Sequence, residues 1–188
     1  PGGKGANQAV QCARLGAHVT MVGQVGDDAF GKIMTDTAAA AGVDVSHVSV
    51  DPNESSGVGH ITLEVTDDGA KNRITVCPGA NFTLTVDDLA WLKDQIGRYD
   101  LVMMQFELPM PVIETVAQWA HDAGVIVMIN PAPAAPLSDK LLACTTYISP
   151  NEHEAAILAG ENVCSYEDID KACELGYNLP MGPLKLAD

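Results

Sequence analysis

Three apolar segments of strand length lie in the second half of the chain, at Leu101 to Gln105, Val125 to Asn130 and Thr146 to Ser149. Their central residues are apolar at consecutive positions, so both faces of each strand would be buried. Helical patterns separate them, at Pro111 to Ala123 and at Ser138 to Ala143. Strands that are buried on both faces and alternate with helices require a parallel sheet covered by helices. The sequence therefore predicts an α/β fold with a mainly parallel sheet.

The first half of the chain has a similar alternation. Ala6, Ala9, Val10 and Ala13 recur at helical spacing and predict a helix from Ala6 to Leu15. A strand at His18 to Gly23, a helix after Gly26 that ends at Ala41 and an extended segment at Val43 to Val50 follow. Thr85 and Asp88 are predicted to cap a further helix, which has Leu89, Leu92 and Ile96 on its inward face. In the second half, two more helices are predicted at Glu152 to Ala159 and Tyr166 to Leu175.

The segment 57–81 has a different pattern. Polar and apolar residues alternate from Val58 to Val65, and Asp67-Asp68-Gly69 supplies turn residues before a second extended run at Asn72 to Cys77. This pattern predicts a β-hairpin whose apolar face carries Ile61, Leu63 and Val65. We therefore expect an α/β core formed by residues 1–56 and 82–188, and a β excursion at 57–81 whose apolar face is covered or pairs with another chain.

The charge balance excludes several classes of function. The 188 residues include 25 acidic and 10 basic side chains, for a net charge of −15, and no local basic cluster is present. Such a chain repels nucleic acid and anionic membrane surfaces, so we expect neither as a partner. Five cysteines without a C-x-x-C pair indicate free thiols in a reducing compartment, hence the cytoplasm. The first residues lack the apolar core of a secretory signal and an initiator Met, and we expect the chain to have been cut there.

A glycine-rich segment, Gly2-Gly3-Lys4-Gly5-Ala6-Asn7-Gln8-Ala9, opens the first predicted helix. Glycines let a ligand approach the backbone, and a helix N-terminus offers unpaired N–H groups. A plain glycine-rich turn is an equally good interpretation. The segment is not a Walker A loop, because the spacing G-x-x-x-x-G-K-[ST] is absent.

Two further motifs follow predicted strands. Asn130-Pro131-Ala132-Pro133-Ala134 is more simply a rigid connector, and helix capping explains Asn151-Glu152-His153-Glu154 as well as a binding site does. Ile157 stands where a zinc motif H-E-x-x-H would have its second His. Because ligands of open α/β sheets bind beyond the carboxyl ends of the strands, Glu107, Asn130 and the pair Asn151 and Glu154 are candidate site residues.

Six motifs in order resemble those of the ribokinase subgroup of the PfkB-type sugar kinases. They are G-G-K-G-A-N-Q-A at Gly2 to Ala9, G-x-D-x-x-G at Gly26 to Gly31, Gly79-Ala80-Asn81, M-Q-x-E at Met104 to Glu107, N-P-A-P-A at Asn130 to Ala134, and N-x-x-E at Asn151 to Glu154. Together they cover residues 1 to about 160.

This resemblance implies a ribokinase-like three-layer α/β/α fold with a small β lid hairpin. It also implies ATP-dependent phosphorylation of D-ribose to ribose 5-phosphate, with Mg²⁺ required and a monovalent cation such as K⁺ as activator. The sugar-binding positions would be Gly3, Lys4, Gly5, Ala6, Asn7 and Glu107; Asn151 would face the nucleotide phosphates, and Glu154 the water-linked Mg²⁺ network. In ribokinases the lids of two subunits clasp each other, so the resemblance implies a homodimer.

The chain departs from the family pattern at both ends. The family's first strand and first lid hairpin have no counterpart here, and neither does the G-A-G-D motif whose Asp is the catalytic base. After Gly160 the match fades. We therefore expect an inactive portion of a kinase without a catalytic residue of its own. A kinase of fructose, 2-keto-3-deoxygluconate or a nucleoside, and a non-catalytic sugar-binding or interaction module, remain alternatives.

Overall fold

The computed structural model describes residues 1–66 and 69–160. In chain order the elements are α1 (Lys4–Arg14), β1 (Thr20–Gly26), α2 (Ala29–Ala40), β2 (Asp44–Asp51), β3 (Val58–Thr66), β4 (Gly69–Cys77), α3 (Ala90–Gln95), β5 (Leu101–Gln105), α4 (Met110–Asp122), β6 (Ile126–Asn130), α5 (Asp139–Cys144), β7 (Tyr147–Ile148) and α6 (Glu152–Gly160). The predicted elements within this range are confirmed to within a few residues. The predicted helix at Tyr166 to Leu175 lies outside the described residues.

The chain divides into two compact units. The first comprises Pro1–Ala90 and Glu107–Val112, and the second comprises Trp91–Phe106 and Ile113–Asp188. This division does not follow the boundary expected between the α/β core and the β excursion at 57–81. The expected boundary stays a prediction.

In the first unit, β1 pairs in parallel with β2, and helices α1 and α2 pack against β1. The predicted apolar face of α1 is half-buried at Ala6, Ala9, Val10 and Ala13. Helix α2 begins where the sequence indicates, because the Asp28 side chain caps it by accepting a hydrogen bond from Gly31 N–H. Gly42, with φ 92°, follows its end.

The predicted hairpin is present in the first unit. Strands β3 and β4 pair antiparallel from Val58 opposite Cys77 to Thr66 opposite Gly69. The second strand begins at Gly69, three residues earlier than the extended run suggests, because pairing with β3 continues to that point. The side chains of Ile61, Leu63 and Val65 are 63, 58 and 75% exposed, so the apolar face is open to solvent.

In the second unit, β5, β6 and β7 form a parallel sheet in that order. The core around the central strand β6 contains Val127, Ile129, Ile113, Leu141 and Leu158, each no more than 2% exposed. These residues belong to the apolar strands and helix faces from which the parallel sheet is predicted. Of the three predicted inward positions, Leu92 and Ile96 are buried in this unit, and Leu89 is buried in the first unit.

The predicted cap at Thr85 is confirmed. Thr85 N–H donates to Asp88 Oδ2 at 2.8 Å, and Asp88 N–H donates to Thr85 Oγ1 at 3.4 Å. The helix it opens is less regular than predicted: a 3₁₀ turn at Asp87–Leu89 precedes α3, and another at Ile96–Arg98 follows it.

Three of the predicted free thiols lie within the described residues. Cys12, Cys77 and Cys144 are free thiols, as predicted for these three, and burial raises the pKa of the Cys144 thiol. No helix within residues 1–66 and 69–160 is long and apolar enough to span a bilayer.

Carboxylates in the first unit predict an acid-labile fold. Hydrogen bonds hold the pKa of three aspartates below the usual value of 3.8. The main donor is Gly31 N–H for Asp28 and the Thr83 hydroxyl for Asp51. For Asp88 it is the Thr85 hydroxyl. A lowered folded-state pKa stabilises the fold above 3.8, and this contribution is lost as the pH falls through the folded-state values.

We therefore expect the melting temperature to decline as the pH falls below about 4, when it is measured by circular dichroism between pH 7 and pH 2. Asp88→Asn should make this decline shallower, because one of the linked groups is removed. An identical pH profile for the variant would contradict the assignment of Asp88.

Candidate functional site

The glycine-rich segment meets Glu107 at the N-terminus of α1. Gly3 is the N-cap residue, with φ 98° and ψ 141°, and no side chain within the segment caps the helix. Instead, Lys4 N–H donates a hydrogen bond of 2.9 Å to Oε2 of Glu107, which lies 103 residues later in the chain. A carboxylate at this position also interacts favourably with the positive end of the helix dipole. The structure thus brings together Gly3, Lys4 and Glu107, as the resemblance implies.

Hydrogen-bonding groups remain available beside this contact. Asn7 N–H makes the first intrahelical bond, to Gly3 O at 3.0 Å, so the N–H groups of Gly5 and Ala6 precede the hydrogen-bonded turn. The Asn7 side chain is exposed, and Glu107 Oε1 accepts no hydrogen bond from the described residues. This cluster therefore offers donors and one carboxylate oxygen within a single turn of helix, which suits a ligand with several hydroxyl groups.

Asn151 and Glu154 form a reciprocal cap in the second unit. Asn151 N–H donates to Glu154 Oε2 at 2.9 Å, the Asn151 side-chain amide donates to Oε1 at 3.0 Å, and Glu154 N–H donates to Asn151 Oδ1 at 2.8 Å. Glu154 is only 6% exposed. This geometry is that of a capping box, so the capping interpretation is confirmed, while a role in binding stays a prediction.

Cation binding at Glu154 would be indirect. Both of its carboxylate oxygens accept a hydrogen bond from Asn151, and each keeps a second lone pair. Among residues 1–66 and 69–160, no group of three or more His, Cys, Asp or Glu side chains could hold a metal ion. Mg²⁺ commonly keeps several waters and binds one or two carboxylates together with substrate phosphates. Glu154 therefore suits contact with Mg²⁺ through water.

The segment Asn130–Ala134 connects strand ends in the second unit. The Asn130 side-chain amide donates to Ser149 O at 2.7 Å, which ties the end of β6 to the residue after β7. Phe106 N–H donates to Ala132 O at 3.0 Å, and Pro131 is fully buried. These contacts support the connector interpretation. Glu107 belongs to the first unit, so the predicted convergence of all three strand ends stays a prediction.

One cluster in the first unit was missed by the sequence analysis. Ser56, which is 3% exposed, lies against the Asp28 carboxylate and donates to it from both its backbone N–H and its hydroxyl. The G-x-D-x-x-G motif marks Asp28, but no pattern in the sequence marks Ser56, because the contact joins residues 28 positions apart.

Comparisons with known proteins agree with these motifs. A model of the pfkB family of carbohydrate kinases matches residues 1–179. The ribokinase of Bacillus subtilis is 42% identical over 161 residues, covering 86% of this chain and 54% of the relative. The ribokinase of Schizosaccharomyces pombe is 42% identical over 175 residues, with coverages of 90% and 54%. The deoxyribokinase of Salmonella typhi is 33% identical over 172 residues, with coverages of 91% and 55%.

Solved structures show the same relationship. The Arabidopsis thaliana ribokinase complexed with ribose and ATP has a TM-score of 0.72 and 32% identity, covering 85% of this chain and 51% of the plant protein. The ribokinase of Thermotoga maritima has a TM-score of 0.76 and 28% identity, with coverages of 93% and 55%. The fold is thus the ribokinase-like α/β fold that the motifs imply. The chain spans about half the length of the relatives it matches, and it belongs to the pfkB family of carbohydrate kinases.

Proposed function

We propose that the protein containing this chain transfers the γ-phosphoryl group of ATP to the primary hydroxyl of D-ribose. The observation that carries the proposal is the contact between the α1 N-terminus and Glu107, because it joins two motifs that the family uses for the sugar. The identity of about 40% to ribokinases and the likeness to a ribokinase complexed with ribose and ATP support it.

The geometry suggests a division of labour at the sugar. Lys4 N–H holds Glu107 Oε2 in place, which leaves Oε1 to accept a hydrogen bond from a ribose hydroxyl. The N–H groups at the start of α1 and the Asn7 side chain can donate to further ribose oxygens. Phosphoryl transfer depends mainly on such positioning and on neutralisation of charge, so a cluster of hydrogen-bonding groups of this kind is suited to it.

The nucleotide side of the proposal rests on the second unit. We assign Asn151 to the ATP phosphates and Glu154 to Mg²⁺ through water. When bound, Mg²⁺ would neutralise phosphate charge. Activation by K⁺ is proposed on the resemblance alone.

We further propose that these 188 residues alone do not phosphorylate ribose. They contain no match to the G-A-G-D motif, whose Asp serves the family as catalytic base. A coupled assay of the chain should therefore show no ribose-dependent consumption of ATP, and such turnover would contradict this part of the proposal.

The experiment that tests the proposed function combines binding and activity measurements on the longer protein. Calorimetric titration with ribose, and then with ribose and a non-hydrolysable ATP analogue, should show binding of both. A coupled assay should show a higher kcat/KM for ribose than for fructose. Ribose binding without phosphorylation would favour the alternative of a sugar-binding module. A second candidate acceptor is 2-deoxyribose, because deoxyribokinases are among the relatives.

Glu154→Gln tests the nucleotide side. We expect this variant to raise the Mg²⁺ concentration needed for half-maximal rate and to leave the ribose Kd nearly unchanged. If Glu154 serves only as a cap, the melting temperature will fall, by the equivalent of roughly 0.3–1 kcal/mol for its interaction with the helix dipole, and the Mg²⁺ dependence will not move. The exposed first-turn acid Glu152 of the same helix provides the control variant Glu152→Gln.

We also propose a homodimer formed through the apolar face of the hairpin. Ile61, Leu63, Val65 and Val76 are all more than half exposed, and an isolated two-stranded hairpin is marginally stable in water. A symmetric contact between two copies would bury these side chains. The free thiols are consistent with a cytoplasmic location, which we propose as well.

A further inference from the structure

The hairpin leaves the body of the first unit through a short segment that we call the hairpin root, defined as residues 55–57 and 79–80. The two halves of the root are joined by a hydrogen bond of 2.8 Å from Ala80 N–H to Ser55 O. Ser56 and Ala80 are buried, at 3 and 0% exposed, whereas the apolar residues of β3 beyond the root are largely exposed. The root is therefore the buried end of a hairpin whose apolar side chains are otherwise exposed to solvent.

Asp28 binds the root from the start of α2. Its Oδ1 accepts hydrogen bonds from the Ser56 hydroxyl at 2.7 Å and from Gly31 N–H at 2.8 Å, and its Oδ2 accepts from Ser56 N–H at 2.8 Å. The Ser56 hydroxyl oxygen also accepts from Gly26 N–H, at the end of β1, at 3.0 Å. The Asp28 carboxylate thus links α2 to the hairpin root, and Ser56 in turn links the root to the end of β1.

The packing around these bonds leaves no room for side chains. A Cβ at Gly31 would collide with Gly26 O and lie 2.9 Å from the Ser56 hydroxyl. A Cβ at Gly79 would collide with Ser55 O, and Gly79 has φ 53°, a conformation that disfavours other residues. The backbone is therefore closely packed at both Gly31 and Gly79, on either side of Ser56.

Capping of α2 does not explain the choice of aspartate. Asparagine and serine serve as N-caps about as well as aspartate, because the cap needs only one acceptor for Gly31 N–H. The two donors of Ser56 need acceptors on both carboxylate oxygens of Asp28. The side-chain NH₂ of an asparagine in this place would face Ser56 N–H, so one bond would be replaced by an encounter of two donors.

We propose that Asp28 is a positioning residue for the β3–β4 hairpin. Its carboxylate holds Ser56 against the end of β1. When the hairpin moves, the residues beyond Ser56 change position, while the hairpin root keeps its place beside the sheet. Where the hairpin closes over a sugar, this anchor sets the position from which it closes. Only this last consequence rests on the proposed function.

Amide hydrogen exchange tests the proposal in the protein with Asp28→Asn, without requiring catalysis. We expect exchange at Ser56 and Ala80 and in the adjoining ends of β3 and β4 to accelerate by roughly tenfold or more, because a buried N–H loses a charged acceptor. The first turn of α2 should change little, since asparagine retains the cap. Asp44→Asn is the matched control. Asp44 also accepts a backbone hydrogen bond, from Ser46, but it lies at the start of β2, whereas the hairpin root follows the end of that strand.

Ser56→Ala provides a second variant in case Asp28→Asn folds poorly. It removes the hydroxyl but keeps the N–H bond to Oδ2, so the same segments should exchange faster, by a smaller factor. Acceleration confined to the first turn of α2, or exchange in the root no faster than in Asp44→Asn, would overturn the proposal. A protein that failed to phosphorylate any sugar would refute the proposed function and leave these exchange results standing.

Discussion

Glu107→Gln is expected to weaken ribose binding by roughly 1.5–3 kcal/mol, which is about 10- to 150-fold in Kd. The physical reason is the loss of a charged acceptor: an ionised carboxylate makes stronger hydrogen bonds with hydroxyl groups than a neutral amide does. The fold should survive, because the amide oxygen of glutamine can still accept the bond from Lys4 N–H that Glu107 Oε2 accepts now. Calorimetric titration with ribose measures the effect.

A matched control separates the sugar contact from a general effect of removing a carboxylate. Glu114 is half-buried on α4 and accepts one hydrogen bond, of 2.6 Å, from the Ser138 hydroxyl. Glu114→Gln should leave the ribose Kd unchanged. If Glu107→Gln also leaves it unchanged while the melting temperature holds, Glu107 is only a partner of the α1 N-terminus and the assignment to the sugar fails.

Leu63→Lys is expected to dissociate the proposed dimer. Burying a leucine side chain contributes about 1.5–3 kcal/mol, and a symmetric interface contains the residue twice. The substitution should therefore raise the dimer Kd by at least about a hundredfold, before the cost of burying a lysine charge is added. Sedimentation equilibrium of the protein containing this chain would show the mass falling from that of a dimer toward that of a monomer.

The opposite face of the same strand supplies the control. Thr62 is an exposed neighbour of Leu63 and points to the other side of the hairpin. Thr62→Lys adds the same charge without touching the apolar face, so its mass should equal that of the parent protein. Equal masses for the parent and both variants would show that the apolar face is not a contact between subunits.

Local patterns account for most of the secondary structure that could be predicted. The alternation from Val58 to Val65 predicts a hairpin, because side chains of a strand alternate between its faces. The pair Thr85 and Asp88 predicts a cap, because residues three apart at a helix start can bond each other's backbone. Asn151 is also a possible N-cap from its position before a helix, although a binding site explains its motif equally well. Neither inference needs knowledge of the rest of the chain. The irregular turns around α3 have no comparable signal in the sequence.

Contacts between distant residues mark the limit of such reasoning. From the residues alone, a simple turn explains the glycine-rich segment as well as a binding site does, and the resemblance to a family assigns both this segment and Glu107 to the sugar without stating their contact. The bond between Lys4 and Glu107 spans 103 residues, and that between Asp28 and Ser56 spans 28. The burial of Ser56 could not be read from its polar side chain, since serine is mostly exposed in proteins.

The sequence by itself determined which segments are helices and strands, which faces of them are apolar, and which family the chain resembles. These properties depend on residue periodicity and on bonds between near neighbours. Only the tertiary structure decided that Glu107 lies at the start of α1 and that Asp28 holds the hairpin root as well as capping α2. Such contacts arise from packing of whole elements, in which a donor and an acceptor meet because the backbones that carry them are already in place.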